Sequence, residues 1–293
     1  MKNAKFLGVL ALAAGLVVGV SSCGEKSVLT IVHFDQTILG DTQKDLGVSI
    51  GLRKTDMELK AKVNTSLSSV STATRNTWMT EALERSTAEI IASDSAITTA
   101  PFDSAKETIT VGLECNYAPF NWTEVSANNY SWPIEGSSGQ FADGYDITIA
   151  RKIAEDLNCN LKVVKMEWDA LIPSLTSNTI DLVIAGMTDT EERRLSIDFT
   201  DEYYRSEMVL VVNSSSSYAT ATSLEDFRGA KIVSQTSTVT DDVIETWVDS
   251  FGITHLNAMS SFAVCATAVT SGAADAMTAE LPVATSIVNG ANR

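Results

Sequence analysis

The stretch Ile180-Asp-Leu-Val-Ile-Ala-Gly-Met-Thr-Asp-Thr-Glu-Glu-Arg193 decides the fold class. It opens with a nearly unbroken apolar run to Ala185, which predicts a strand in a sheet that is covered on both faces. The segment that follows predicts one helical turn, with Thr188 and Glu191 in the spacing of a capping box. A strand that leads through a turn into a helix is the repeating unit of open α/β sheets.

The same alternation of strands and helices extends to both sides of this stretch. Residues 93–106 are small and polar with Pro101, which predicts a linker, and 122–140 predicts a polar loop. The predicted strands lie at 28–34, 46–52, 109–113, 161–165, 180–185, 208–212, 231–234 and 274–278. The predicted helices lie at 54–70, 74–91, 146–157, 170–174, 191–195, 241–251, 261–271 and after Pro282.

Composition excludes several classes of function. The chain has 293 residues, 44% of them hydrophobic, so it can build a substantial core. Its net charge of −16 repels phosphate backbones, which argues against nucleic acid as a partner. The two histidines, His33 and His255, stand in no recognisable motif, and the 4 cysteines show no CxxC spacing. We therefore expect no metal site, no cofactor and no histidine-based catalytic triad.

The first residues predict an export signal. Lys2 and Lys5 precede an apolar run from Phe6 to Val20, which is too short for a comfortable transmembrane helix. The Val20-Ser-Ser-Cys23 ending looks like a bacterial lipoprotein signal, with residues 1–22 removed and lipid such as palmitate carried on Cys23. The alternative is an ordinary secretory signal followed by an unrelated cysteine. Both interpretations predict an extracytoplasmic protein, and lipidation adds an anchor in the cell membrane. Three thiols would then remain, so we expect no disulfide framework.

Most of residues 108–293 resembles the extracytoplasmic amino-acid-binding proteins of ABC importers, bacterial solute-binding protein family 3. The matching segments, in the order of the family, are 111–122, 144–154, 167–175, 181–204, 224–231 and 275–282. The resemblance implies a type II periplasmic-binding-protein-like fold. Its two lobes are open α/β sheets flanked by helices, joined by two hinge crossings, and the ligand lies between them.

The order of the segments departs from the family. The family continues past a segment like 275–282 with an edge strand, a return strand to the first lobe and terminal helices. Here segments that look like those elements stand at the front, at 29–34, 47–54, 57–67 and 75–85. We interpret the chain as a circular permutant, and the alternative is a truncated chain behind an unrelated segment.

The predicted organisation follows from that order. Residues 23–42 form a tether, the edge strand of lobe 2 and the first hinge crossing, which lies near 37–43. Residues 43–213 form lobe 1, including the linker at 93–106, and 214–293 complete lobe 2. The second crossing is expected near 210–216.

The resemblance assigns the groups that hold the backbone of a free amino acid. Arg193 matches the arginine that binds the carboxylate, for which a guanidinium fork beside helix amides is suited. Glu280, the Thr188 hydroxyl and the Gly186 carbonyl match the partners of the ammonium group. Arg194 points elsewhere on the helix and is expected at the surface.

Other matching positions shape the rest of the site. Ser237 and Thr238 lie in the segment whose amides approach the carboxylate from lobe 2. Tyr117 and Trp168 match the aromatic rings that sandwich the aliphatic stem of the ligand. Glu114 matches an acidic position that meets a cationic side chain in some relatives. It favours a polar ligand, with a basic amino acid as the narrower expectation, and a structural carboxylate is the alternative.

The predicted function is capture of an amino acid and its delivery to an ABC permease by a monomeric protein. One alternative is a ligand-sensing subunit for a membrane receptor. The other is an enzyme on the same fold, which would need an acid or base beyond the ligand-holding groups. The sequence names neither the amino acid nor the permease.

Overall fold

A computed structural model describes residues 28–87 and 102–292 of the chain, without the side chains of 41–45. The strands are β1 (Leu29–Val32), β2 (Gly47–Leu52), β3 (Thr108–Leu113), β4 (Asn116–Tyr117), β5 (Asn121–Glu124), β6 (Trp132–Pro133), β7 (Phe141–Asp143), β8 (Asn160–Lys165), β9 (Leu182–Val183), β10 (Asp198–Arg205), β11 (Met208–Asn213), β12 (Lys231–Val233), β13 (Thr254–His255) and β14 (Ala276–Glu280).

The α-helices flank these strands. They are α1 (Met57–Ser68), α2 (Thr72–Thr87), α3 (Tyr145–Asp156), α4 (Leu171–Thr176), α5 (Glu191–Arg194), α6 (Val239–Phe251), α7 (Phe262–Ser271) and α8 (Leu281–Ala291). Short 3-10 helices cover Trp168–Ala170, Ser217–Thr220 and Leu224–Phe227, and 3-10 turns on both sides of a kink at Gly40 cover Gln36–Leu46. No helix within the described ranges is long and apolar enough to span a bilayer.

Lobe 1, defined as residues 47–87 and 102–205, is built on a sheet of order β10-β2-β9-β3-β8. β3 runs parallel to β8 and β9, whereas β2 pairs antiparallel with β9 and β10. The apolar face of α3, with Ile149 and Ile153, is buried in the same core as the strands. The carboxyl ends of β3 and β9 therefore lead into the segments that carry the predicted site residues.

Lobe 2, defined as residues 28–46 and 208–292, is built on a sheet of order β1-β11-β14-β12-β13. Val209 and Val211 of β11 belong to the core cluster that includes Phe262 of α7, while Leu210 packs in the cluster of Trp247 on α6. Both faces of β11 are thus covered, which agrees with its apolar run from Met208 to Val212. α6 ends at Gly252, whose φ of 68° is the left-handed conformation typical of a helix C-terminus.

The structure corrects both predicted hinge crossings and the lobe boundary at 213. β11 pairs with β1 on one side and with β14 on the other, so 208–213 belongs to lobe 2 and not to lobe 1. The chain crosses at Ser206 and Glu207 instead of 210–216. The first crossing is not the extended segment 37–43, because a 3-10 helix over Gln36–Leu46 packs its Leu39 and Leu46 against lobe 2. The chain passes from lobe 2 to lobe 1 between Leu46 and Gly47.

Other predictions differ in detail. The predicted loop at 122–140 contains β6 and part of β5, which join β4 and β7 in a small four-stranded sheet. The sequence does not predict the eight-residue strand β10, since its charged and aromatic residues show no regular alternation. Only Leu182–Val183 of the predicted strand 180–185 is a strand, although the run from Leu182 to Ala185 is buried. The signal 1–22, Cys23 and most of the linker 93–106 lie outside the described residues.

The two ends of the described chain meet at the edge of lobe 2. The backbone amides of Val28 and Leu29 donate to Asn292 Oδ1 over 2.6 and 3.0 Å. α2 of lobe 1 reaches α8 of lobe 2, where the hydroxyls of Ser86 and Ser286 lie 3.0 Å apart. The lobes thus contact each other through α2 and α8 as well as across the cleft.

Candidate binding site between the lobes

The cleft contains a cavity with about 300 Å³ of empty space, part of it open to solvent. Its lining residues come from both lobes and are Glu114, Tyr117, Trp168, Gly186, Thr188, Arg193, Gln235, Thr238, Val239, Phe262 and Glu280. The structure therefore brings together eight of the nine predicted site residues. The ninth, Ser237, lies at the mouth of the cavity, in an adjoining groove that Trp168 and Arg193 also line.

Arg193 is held in place from its own lobe. Its Nη1 donates to the carbonyl and hydroxyl oxygens of Thr188 over 2.7 and 2.6 Å, and the Thr190 hydroxyl caps its backbone amide. Burial lowers the pKa of the guanidinium, which the nearby Asp242 carboxylate partly offsets. The predicted capping box on Thr188 is wrong, because Thr190 is the N-cap and the Thr188 hydroxyl instead accepts from Arg193.

Arg193 also spans the cleft. Its Nη2 donates to the carbonyl oxygen of Ser237 over 2.9 Å, and its Cζ lies 5.4 Å from the ring of Trp168. Trp168 Nε1 donates to the same Ser237 carbonyl over 3.2 Å. The guanidinium is thus aimed at the start of α6 in lobe 2, where a carboxylate would meet both a cation and helix amides.

Arg194 is the exposed neighbour. Its guanidinium forms a salt bridge with Asp189 and lies 3.8 Å from Asp198, outside the cavity. The structure thus places Arg194 at the surface, where the sequence puts it.

Glu280 ends β14 and faces lobe 1. It is buried, and the Tyr117 hydroxyl donates to its Oε2 over 2.5 Å. Burial raises the pKa of Glu280, and the hydrogen bond from Tyr117 and the charge of Arg193 act in the opposite direction. The site therefore presents a desolvated carboxylate as well as a cation, a pairing suited to the two charged groups of an amino acid.

Aromatic rings wall the cavity. Tyr117 stacks between Phe120 and Phe262, with ring centroids 5.2 and 5.1 Å apart. Gly186 packs against the same ring, because a Cβ there would come within 2.6 Å of Tyr117 Cε1. The close approach requires glycine, and its φ of 60° adds a second reason.

Glu114 follows the end of β3 and lines the cavity from lobe 1. Gln235 Nε2 donates to both of its carboxylate oxygens over 3.2 and 3.3 Å across the cleft. Burial raises the pKa of Glu114 to about 7. Among the described residues, this carboxylate makes no salt bridge with an arginine or lysine.

The lobe 2 segment at the start of α6 has a defined local geometry. The Thr238 hydroxyl accepts from the Asp241 amide as the N-cap and donates to Gln235 O over 2.6 Å. Ser237 has a φ of 58° and turns its carbonyl toward Arg193. In this conformation the carbonyl of Ser237, and not its amide, is the group that contacts the arginine.

Sequence reasoning missed three lining residues, namely Gln235, Val239 and Phe262. Gln235 follows the apolar run of β12, so its place at the end of a strand was the available signal. Phe262 opens α7 directly after its N-cap Ser261. Neither residue is distinctive there, since a phenylalanine at a helix start commonly packs in a core and a single glutamine after a strand forms no motif.

Two other features do not form part of the site. His33 contacts Glu207 over 3.0 Å, and His255 contacts Asp241 and Glu245, all away from the cavity lining. A larger groove on lobe 1 lies between α1, α3 and the start of β3, but it is open to solvent and includes none of the predicted residues.

The cysteines of the described ranges are free thiols, namely Cys115, Cys159 and Cys265. Cys115 and Cys265 are buried, and burial raises the pKa of each thiol to about 12. Because the thiolate is the reactive form of cysteine, these two side chains behave as small apolar groups of the core.

The model of the bacterial extracellular solute-binding proteins, family 3, matches residues 109–279. The chain belongs to this family. The match covers more than half of the chain, and it includes every lining residue except Glu280.

Curated members of the family show similarity over part of their length. The arginine-binding extracellular protein ArtP of Bacillus subtilis is 28% identical over 140 residues, 48% of each chain. The L-arginine-binding protein of Pseudomonas aeruginosa is 34% identical over 104 residues, 36% of this chain and 35% of its own. The histidine-binding periplasmic protein of Escherichia coli K12 is 32% identical over 114 residues, 39% of each chain. The matched region thus spans about half or less of these relatives.

Solved structures of family members share the fold. An ancestral arginine-binding protein bound to arginine superposes with a TM-score of 0.51 at 30% identity, over 61% of this chain and 72% of that chain. The holo arginine-binding protein of T. maritima gives a TM-score of 0.51 at 30% identity, over 61% of this chain and 71% of that chain. The two-lobed α/β architecture is therefore common to this chain and to these binding proteins.

Proposed function

We propose that the chain captures a cationic amino acid, with arginine as the first candidate, and delivers it to an ABC importer. The observation that carries the proposal is the charge of the cavity lining. Within the described lining, Arg193 is the one cation, while Glu114 and Glu280 are carboxylates. A zwitterion pairs with Arg193 and Glu280 and leaves Glu114 without an opposite charge. An amino acid with a cationic side chain balances all three groups.

The placement of the groups supports the same ligand. Arg193 and the start of α6 suit the carboxylate, and Glu280 with Thr188 suits the ammonium. Trp168 suits the aliphatic stem, with the edge of Tyr117 at the cavity wall, and Glu114 with Gln235 would take the charged end of the side chain. A Gln amide also offers an acceptor oxygen, which suits the several N–H groups of a guanidinium.

The names of the relatives agree with this class. The curated relatives are named for arginine or histidine, and one ancestral arginine-binding protein was solved with arginine and also with glutamine. Those ligands belong to the relatives, and they supply the panel with which this chain is to be tested.

The test is thermal unfolding of the soluble chain from residue 24, after unfolding and refolding to remove bound ligand, against all twenty amino acids. A ligand at about 100 times its dissociation constant adds roughly 2.7 kcal/mol of stability. We expect the largest shift with arginine and smaller shifts with lysine, histidine and glutamine. A cooperatively folded chain with no shift for any amino acid would contradict the proposal.

A binding role is proposed over an enzymatic one. An enzyme on this fold needs an acid or base that is not already holding the ligand. Both cavity carboxylates have binding partners, since Glu280 accepts from Tyr117 and Glu114 accepts from Gln235. We expect the bound amino acid to be recovered unchanged after prolonged incubation, which mass spectrometry of the ligand tests.

The alternative of a ligand-sensing subunit differs from the transport role in its partner protein. Co-purification of a permease would support transport, and co-purification of a membrane receptor would support sensing.

We also propose that the chain is a circular permutant of the usual family order. The block 28–87 lies ahead of the matched region 109–279, yet β1 adds an edge strand to the sheet of lobe 2 and β2 lies inside the sheet of lobe 1. Re-permutation tests it: a chain that begins at 106, joins 292 to 28 and ends at 87 should fold and keep its ligand affinity.

A lipid anchor on Cys23 and a monomeric state complete the proposal. The Val20-Ser-Ser-Cys23 ending supports lipidation, and both ends of the described chain lie on lobe 2, which is where the tether would attach. Mass spectrometry of the membrane-bound protein, with a Cys23→Ser control, tests the anchor. Sedimentation of the soluble chain with and without arginine tests the monomer.

A further inference from the structure

Asp146 is a fully buried carboxylate that the cavity does not use. It stands in the first turn of α3, is 0% exposed, and is absent from the lining of the cavity. The Tyr203 hydroxyl donates to its Oδ1 over 2.6 Å, and Asn121 Nδ2 donates to its Oδ2 over 2.8 Å. Each of these two partners reaches a different wall of the cavity.

The first partner leads to the turn after β9. The Tyr203 hydroxyl accepts a hydrogen bond from the Gly186 amide over 3.0 Å, and Gly186 and Thr188 line the cavity. The Tyr203 ring is itself fixed, because it stacks on Tyr145, whose hydroxyl donates to the carbonyl of Tyr203 over 2.9 Å. Asp146 thus decides where the proton of Tyr203 points, which leaves the oxygen lone pairs for Gly186.

The second partner leads to the segment that carries Tyr117. Asn121 Oδ1 accepts from the amide of Cys115 over 2.7 Å, so the Asn121 side chain closes the ends of this segment on each other. The first two amides of α3 donate to the carbonyls of Pro119 and Phe120 over 3.0 and 2.8 Å. The aromatic wall of the cavity is therefore docked on the same helix end as the Gly186 turn.

We propose that Asp146 is a positioning residue of the amino-acid site, holding the Tyr117 segment and the Gly186 turn in register through Asn121 and Tyr203. The inference rests on the proposed function of the cavity. Its physical reason is the tight fit between the two walls, where a Cβ on Gly186 would come within 2.6 Å of Tyr117 Cε1. A relative shift of these segments would move the ring, the Gly186 carbonyl and Thr188 together.

The role requires a group that accepts on both sides. A carboxylate accepts from Asn121 and from Tyr203 at once, whereas an asparagine offers one acceptor oxygen and one donor NH₂. In Asp146→Asn, the new NH₂ group faces either the Asn121 NH₂ or the Tyr203 hydroxyl, which must then turn its proton away. Either way a buried donor loses its acceptor. Exchanging the two residues restores the pattern. The carboxylate at position 121 would accept from the Cys115 amide and from the NH₂ group at position 146, whose oxygen would accept from Tyr203.

Binding affinity of the soluble chain tests this pattern at about pH 8, because burial raises the pKa of Asp146 to about 7. Calorimetry with L-arginine compares Asp146→Asn, Asn121→Asp and the double exchange. We expect each single variant to weaken binding by roughly tenfold or more. The double exchange should return affinity to within about threefold of the original chain. A Tyr203→Phe variant, which removes one hydroxyl, serves if a single exchange fails to fold.

Ser66→Ala is the matched control. The buried Ser66 of α1 donates through Oγ to Asp156 Oδ2 over 2.6 Å at the opposite end of α3, so this variant also removes a hydrogen bond to the same helix. We expect it to lower the melting temperature without changing the affinity. Unchanged affinity in both Asp146→Asn and Tyr203→Phe, or a double exchange no better than the single variants, would overturn the proposal.

Amide hydrogen exchange of the ligand-free chain separates this inference from the proposed function. We expect faster exchange in residues 115–121 and 185–188 of Asp146→Asn, recovery in the double exchange and no change in Ser66→Ala. If the original chain binds no amino acid, the proposed function fails while the exchange pattern still decides the positioning role. If Asp146→Asn leaves the amide exchange rates of both segments unchanged, the positioning role of Asp146 is overturned.

Discussion

The two lobes build their halves of the cavity differently. Lobe 1 presents groups that are anchored within the same lobe, as Thr188 holds Arg193 and Gly186 bonds to Tyr203. Lobe 2 presents groups at strand ends and at a helix start, and two of its side chains bond across the cleft. Glu280 accepts from Tyr117, and Gln235 donates to Glu114.

This difference indicates that the two lobes act at different steps of ligand binding. A half-site whose side chains are already anchored loses little conformational entropy when a ligand arrives. When the cleft opens, Glu280 loses its Tyr117 partner, and Gln235 loses Glu114 but keeps the Ser260 carbonyl of its own lobe, 3.3 Å away. Lobe 1 is therefore expected to receive the ligand first, and lobe 2 to complete the site on closure.

Removal of the lobe 1 cation should have the largest effect. Arg193→Ala leaves the ligand carboxylate without its cation and frees the Thr188 oxygens, so we expect arginine affinity to fall by about a hundredfold or more. Calorimetry measures the change. Arg194→Ala is the control, since it removes the neighbouring exposed guanidinium. An equal loss of arginine affinity in the two variants would contradict the assignment of Arg193 as the residue that binds the ligand carboxylate.

The lobe 2 carboxylate should come second. Glu280→Gln keeps the shape but removes the charge that pairs with the ligand ammonium, so we expect affinity to fall by about tenfold to a hundredfold. Tyr117→Phe removes the hydroxyl that donates to Glu280 while leaving the charge, and it should change affinity by only a few-fold. If Tyr117→Phe is as damaging as Glu280→Gln, the carboxylate serves the bond between lobes and not the ligand.

Glu114 should set selectivity and its pH dependence. Its pKa of about 7 means that the carboxyl group is mostly protonated near pH 6 and mostly ionised near pH 8. Arginine should therefore bind up to about tenfold more tightly at pH 8 than at pH 6, because only the anion attracts the guanidinium. Glu114→Gln should flatten this profile and bring arginine and glutamine affinities together. An unchanged arginine profile would contradict Glu114 as the selector.

The same pKa predicts a stability effect without ligand. The pKa is raised on folding from 4.5 to about 7, so the folded chain holds a proton that the unfolded chain has released. Stability is then lost as pH rises through this window. Ligand-free Glu114→Gln should be the more stable chain at pH 8, and denaturant unfolding at several pH values checks the sign.

The smallest effect is expected at the start of α6. Thr238→Ala removes the N-cap that accepts from the Asp241 amide, which should cost about 1 kcal/mol of folding free energy. Thr238→Ser keeps the hydroxyl and is the control. Because the Thr238 hydroxyl bonds to the Gln235 carbonyl and the Asp241 amide of its own lobe, affinity should change by less than about threefold. A larger loss would mean that α6 must be capped to receive the ligand.

Much of the architecture was predictable from local patterns. Apolar runs such as 208–212 predicted strands, and the family resemblance around Arg193 predicted a site after the strand at 180–185. The hinge could not be located in the same way. The serine run at 214–217 has the composition of a loop, and it follows β11 within lobe 2 instead of marking the crossing. Ser206 and Glu207, where the chain crosses, carry no compositional signal.

Contacts between distant segments also could not be predicted from local sequence patterns. Gln235 and Phe262 line the cavity because two sheets place their strand ends and helix starts face to face, which no single segment encodes. The Asp146 network has the same character. Asn121, Asp146 and Tyr203 lie far apart in sequence, and each is an ordinary polar residue until the fold closes them around one buried carboxylate.

The adjacency of the two hinge crossings has a spectroscopic consequence. Gly47 and Arg205 are paired at the ends of β2 and β10, and Gln36 bonds to both backbone groups of Met208 just beyond. Two neighbouring pivots let the lobes rotate while each sheet keeps its own hydrogen bonds. The far-ultraviolet circular dichroism spectrum should therefore hardly change when the cleft opens. Small-angle scattering should detect the opening as an increase in the radius of gyration.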